Sequence, residues 1–166
     1  MTNILWDEMY YAKKNIEFLS IYISFIRTTR KYIDLFTLLF TTTGIISWFS
    51  ENNENLIFTG ISLFLAAFLQ VVDIIQTKFV ASDEYIDNVR QLKAKWITYF
   101  DTLEKIWFDI RIKKIESSII ADLFIETKTL KQSIEDIDSD IKLWQLSFIT
   151  KKANILTNNF MRRYYE

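Results

Sequence analysis

Apolar and polar positions divide the chain into distinct regimes. Residues 32–49, YIDLFTLLFTTTGIISWF, and 56–75, LIFTGISLFLAAFLQVVDII, are near-continuous apolar runs with single charges at Asp34 and Asp73. Between them lies a polar break, SENNEN, at residues 50–55. As helices rising 1.5 Å per residue, the two runs would span roughly 27 and 30 Å, against a hydrocarbon core of about 30 Å. The pattern predicts a transmembrane hairpin over 32–75 with a short turn on the far side. The soluble alternative, a pair of buried core helices, lacks polar faces wide enough to meet water between Leu35 and Val72.

The flanking regions have helical periods. Residues 6–30 form a helix rich in bulky apolar positions (Met9, Ile16, Phe18, Leu19, Tyr22, Ile23, Phe25 and Ile26), which suits either the membrane interface or a cytoplasmic bundle. After the second run, Tyr85, Val89, Leu92, Trp96, Tyr99, Leu103, Ile106 and Ile110 recur at alternating steps of four and three. That is the seam of a packed helix, and its partner is either this chain or a neighbouring subunit. With no glycine or proline between Gly60 and Lys114, the second span is expected to run on into this helix. Two more helices follow. Ile115, Ile119, Leu123, Leu130, Ile134 and Ile137 mark the first, with room for a break near Thr127–Lys128. The second covers 141–164, with Asp138 or Ser139 as its N-cap and Trp144, Phe148, Leu156 and Phe160 facing inward.

The reading is therefore an all-α membrane protein in three parts: an amphipathic N-terminal helix (1–31), a two-helix transmembrane hairpin (32–75) and a cytoplasmic helical bundle (76–166). Basic residues orient it. Lys13, Lys14, Arg27, Arg30 and Lys31 precede the first span, and Lys78, Arg90, Lys93 and Lys95 follow the second. The intervening loop has Glu51 and Glu54 but no Lys or Arg, so both termini are expected in the cytoplasm. The N-terminal stretch does not read as a signal peptide, because its lysines sit inside the apolar part.

Composition narrows the chemistry. The 166 residues are 50% hydrophobic and 16% aromatic, with two glycines and no proline, which disfavours tight-turned β structure. There is no cysteine and no histidine. Disulfides, thiolate nucleophiles, imidazole general bases and His-ligated metals are thereby excluded, and two glycines cannot build a phosphate-binding loop. No catalytic residue, metal site or cofactor is expected, and the chain does not read as an enzyme. A net charge of −1 gives no global attraction to nucleic acid.

The polar residues inside the spans carry the remaining signal. Thr59, Ser62, Ala66, Gln70, Asp73 and Thr77 share one helix face of the second span, and Asp34, Thr37, Thr41, Gly44 and Trp48 share one of the first. Charge at the bilayer centre costs about 2.5–3.5 kcal/mol, so such groups face partners or water rather than acyl chains. Two readings stand. The stripes let helices pack closely and hydrogen-bond, or several hairpins assemble so that Thr59, Ser62, Gln70 and Asp73, with Asp34, Thr37 and Thr41, line an aqueous path.

The order of parts resembles the SLATT-type two-transmembrane effectors of bacterial anti-phage nucleotide-signalling systems. The parts that carry the likeness are an aromatic, basic N-terminal helix (WDEMYYAKKNIEFLSIYISFIRTTRKY), the two-span hairpin, and a long amphipathic helix (DEYIDNVRQLKAKWITYFDTLEKIW) followed by further helices. The resemblance implies a homo-oligomeric, channel-like effector in the bacterial inner membrane. Such a protein depolarises the cell when a nucleotide, an oligonucleotide or a partner protein acts on its cytoplasmic domain. Cationic candidates for contacting such a trigger are Lys113, Lys114, Lys151, Lys152, Arg162 and Arg163. The alternative function is a non-conducting anchor or scaffold that recruits a cytoplasmic partner.

Overall fold

The structure, a computed structural model, describes residues 2–49, 64, 68, 82–113 and 117–165. Apart from Ser82 and residues 141–146 the described residues are helical, and none of them forms a strand. The helices are α1 (Thr2–Phe49), α2 (Asp83–Lys113), α3 (Ser117–Asp140) and α4 (Ser147–Tyr165). The chain divides into two compact units, Met1–Ile23 with Glu84–Glu166, and Ser24–Asp83. Helix α1 thus gives its first residues to one unit and the rest to the other.

The first unit is a packed helical bundle. Leu5, Met9, Ala12, Ile16, Leu19 and Ile23 of α1 recur at steps of four and three, and all are buried. Val89, Leu92, Trp96, Tyr99, Leu103 and Ile106 of α2 do the same. The two rows meet antiparallel: Trp6 lies tilted against Trp107 (5.6 Å between rings), Tyr11 meets Trp96 edge-on (5.5 Å), and Tyr22 reaches Tyr85. The α2 seam, left open by the sequence between this chain and a second subunit, is thus filled by α1 of its own chain. Each fully buried leucine in it stabilises the bundle by roughly 1.5–3 kcal/mol relative to exposure.

Helix α3 lies against α1 through Lys131 and Glu8, and α4 runs antiparallel to α1 through Tyr10–Asn158 and Trp6–Tyr165. Asp83 and Glu84 sit at the positive end of α2, and Arg162 and Arg163 occupy the last turn of α4, where each charge complements the helix dipole.

Four expectations are corrected. First, α3 runs through Thr127 without a break: the side chain is buried, and its hydroxyl donates to the Phe124 carbonyl at 2.7 Å. Second, α3 also continues through Asp138 and Ser139. The Ser139 hydroxyl donates back to Asp136 at 2.7 Å, so it caps nothing downstream. Helix α4 begins later, with the Leu146 carbonyl accepting from the Ile149 and Thr150 amides. Third, that shift changes the inward face of α4. Ile149, Ala153, Thr157, Met161 and Tyr165 are buried, whereas Trp144, Phe148 and Leu156 are exposed and Phe160 is half-buried. Fourth, Ser82 is not helical, so no helix runs uninterrupted into α2.

Among the described residues no helix is long and apolar enough to cross a membrane. The first expected span, 32–49, forms the last part of α1. The second, 56–75, lies outside the described residues apart from Phe64 and Phe68, which are helical.

Candidate functional site

Of the residues placed on a pore face, Asp34, Thr37 and Thr41 lie on α1. Asp34 is exposed. Thr37 is half-buried, and its hydroxyl donates to the Ile33 carbonyl one turn back at 2.9 Å. A threonine satisfied this way sits on a packing face or a lipid face at little polar cost. Thr59, Ser62, Gln70 and Asp73 lie outside the described residues, as does Lys114.

Around these positions the second unit presents an apolar surface. Leu35 (49%), Phe36 (50%), Leu38 (64%) and Phe64 (68%) are each about half exposed or more. In the same unit, the Arg30 guanidinium pairs with Asp83. Hydrogen bonding and charge from Asp83 hold the Arg30 pKa above its ordinary value. Asp83 is largely solvated and the Arg30 side chain is 37% exposed, so the pair contributes little to stability. Its value is topological: residues just before the first apolar run and just after the second stand side by side.

The basic candidates separate into two groups. Lys113 ends α2. Lys151, Lys152, Arg162 and Arg163 are all exposed on α4, which carries no acidic residue. The Arg163 guanidinium lies 5.7 Å from the Tyr164 ring centre.

Three polar features of the first unit were not evident from the sequence. Glu8 accepts the Tyr99 hydroxyl at 3.0 Å and the Lys131 ammonium at 2.8 and 2.9 Å, joining α1, α2 and α3 at one carboxylate. Burial, and then the Glu8 charge, push the Tyr99 pKa up. Tyr22 and Tyr85 clasp the segment between α3 and α4: Tyr85 donates to the Lys142 carbonyl at 3.0 Å, and Tyr22 accepts the Trp144 amide at 3.3 Å. Finally, a cavity of about 210 Å³ opens beside them, lined by Lys14, Asn15, Phe18, Trp96, Asp138 and Gln145 among others. Burial, and then the neighbouring Glu135, raise the Asp138 pKa. Its lining places one cation, Lys14, and one carboxyl, Asp138, among the aromatic side chains of Tyr11, Phe18 and Trp96.

No family model, curated protein or solved structure matches the chain. The functional reading therefore rests on the residues themselves. No cluster of carboxylates able to hold a metal ion occurs among the described residues.

Proposed function

We propose that the chain is a membrane effector. In this reading residues 32–75 form a two-helix hairpin in the bacterial inner membrane, the bundle of the first unit lies in the cytoplasm, and several copies assemble into a gated ion channel. The observation that carries it is the exposure of four large apolar side chains, Leu35, Phe36, Leu38 and Phe64, in the two apolar runs. Large apolar side chains exposed within runs of this length suit contact with lipid or with another protein. The Arg30–Asp83 pair supports the hairpin, because a chain that leaves Arg30 and returns to Asp83 must turn back in between.

In the channel, Asp34, Thr37 and Thr41 of one span, and Thr59, Ser62, Gln70 and Asp73 of the other, face the conducting path. A ligand or partner on the cytoplasmic bundle shifts the helices between packed and separated states. The trigger class follows the resemblance to SLATT-type effectors: a nucleotide, an oligonucleotide or a partner protein. A second reading, a non-conducting anchor or scaffold, is favoured by one observation. The α2 seam is occupied within its own chain and so is not the face that holds subunits together.

Reconstitution separates the two. The channel reading expects an oligomer in detergent, ion flux from liposomes, and loss of flux with retained assembly in Gln70→Leu. A monomer that passes no current in the presence or absence of cell extract from infected bacteria leaves the anchor. Recovery of the protein from cells without detergent overturns both.

A further inference from the structure

We propose that the outer face of α4 is a docking surface for an anionic lipid bilayer. Helix α4 is amphipathic in an unusual way. Its inner row, Ile149, Ala153, Thr157, Met161 and Tyr165, is buried in the bundle. Its outer face combines exposed apolar residues, Phe148 (53% exposed) and Ile155 (52%), with four exposed cations and no carboxylate.

The arrangement matters more than the count. Lys151 and Arg162 stand about three helical turns apart and so lie on one line along the helix, and Lys152 and Arg163 lie on another. At about 100° per residue, Phe148 and Ile155 fall between these two lines. Apolar side chains are thus flanked on both sides by long cationic ones. Lysine and arginine stems can lie along the interface while their charged ends reach headgroup phosphates, with Phe148 and Ile155 entering the acyl boundary.

Charge decides among the occupants. A second copy placed face to face through α4 would set lysines and arginines against each other. A nucleic acid satisfies the cations but provides no apolar layer for Ile155. An anionic bilayer supplies both, with each basic residue near its surface strengthening binding about fivefold. The inference concerns a surface of the first unit and stands independently of whether residues 32–75 cross the membrane.

The absence of native cysteine permits a direct test on the full chain. Ile155→Cys, labelled with an environment-sensitive fluorophore, is incorporated into vesicles of phosphatidylcholine alone or with phosphatidylglycerol. Ala94→Cys, on an exposed position of α2, is the control. The expected result is a blue-shifted emission at position 155, quenched by nitroxide-bearing lipid, that requires phosphatidylglycerol and fades at high salt. The ratio of bilayer-inserted to water-exposed label should fall about fivefold for each of Lys151, Lys152, Arg162 and Arg163 changed to Gln, with position 94 unchanged throughout.

Three results overturn the proposal: equal emission in neutral and anionic vesicles, a shift in detergent that grows with protein concentration (a second copy covers the face), or a shift produced without vesicles by a single-stranded oligonucleotide or inorganic phosphate. Carbonate extraction of the same vesicles reports on the hairpin separately, so either idea can fail alone.

Discussion

The Tyr22 hydroxyl lies 3.0 Å from the Tyr85 hydroxyl, and the direction of that hydrogen bond is fixed by its neighbours. Tyr85 has one proton and gives it to the Lys142 carbonyl. Tyr22 is therefore the donor to Tyr85, while its own oxygen accepts the Trp144 amide. The result is a closed relay, Trp144 amide to Tyr22 to Tyr85 to Lys142 carbonyl, that returns to the segment it started from. Tyr22→Phe removes the acceptor for Trp144 and the donor to Tyr85 together. It is expected to cost about 1–3 kcal/mol, and amide exchange and protease sensitivity at 141–146 should rise before the rest of the bundle opens.

Three tyrosines make the bundle sensitive to alkali. Tyr85, Tyr99 and Tyr165 are each pushed above the ordinary tyrosine pKa, by burial first and then by contact with Tyr22, Glu8 and Glu104 respectively. The unfolded chain loses these protons near pH 10, while the native bundle still holds them. Their contribution is complete below about pH 10 and is lost as pH rises above it, with a slope of up to roughly 1.4 kcal/mol per pH unit for each tyrosine. Urea midpoints followed by circular dichroism from about pH 9 to 11 should fall steeply, and Tyr99→Phe should flatten the fall by one proton. An unchanged slope would mean that Tyr99 ionises as readily in the bundle as in the unfolded chain.

Much of the architecture was legible because few residues interrupt helices, and because the α2 seam from Val89 to Ile106 is built from large side chains whose spacing is plain. Its partner was harder to see. The complementary row on α1 passes through Ala12, which packs closely because it is small and so adds little to any hydrophobic pattern. The same reason displaced the expected inner face of α4. Ala153 and Thr157 occupy buried positions there, while Phe148 and Leu156 face outward and draw the eye to the wrong side. Helix boundaries failed at Ser139, a residue type that caps helices but here bonds within one. Polar pairing was invisible for a different cause: Glu8, Tyr99 and Lys131 are remote in sequence, and only packing brings them together. The polar stripes of the two apolar runs were legible as a period, and a period is the same whether lipid, helix or water faces it.

The Glu8 carboxylate invites a double-mutant cycle. Its ion pair with Lys131 is about three-quarters buried, with side-chain exposures of 23% and 26%. Lys131→Met leaves Glu8 with only the Tyr99 hydroxyl in a partly desolvated site. Glu8→Gln leaves a lysine without its counter-charge. Each single change is expected to cost about 1–3 kcal/mol, whereas the double variant should cost less than the sum, because it strands no charge. Additive losses in denaturant titrations would mean that the pair is fully solvated and contributes little.

Thr157 makes the opposite prediction. Its side chain is fully buried in the inner row of α4, and among the described residues its hydroxyl has no hydrogen-bond partner. A threonine inside a helix usually returns its hydroxyl to the carbonyl one turn back, as Thr37 does. Thr157 does not, so its desolvation is uncompensated. Valine keeps the branched shape and removes the hydroxyl. Thr157→Val is therefore expected to stabilise the bundle by about 1 kcal/mol and to raise its melting temperature by a few degrees. Thr157→Ala also removes the hydroxyl but deletes a packed methyl and opens a small void, which should cancel most of the gain. If Val destabilises as much as Ala, the hydroxyl is making a contact worth keeping.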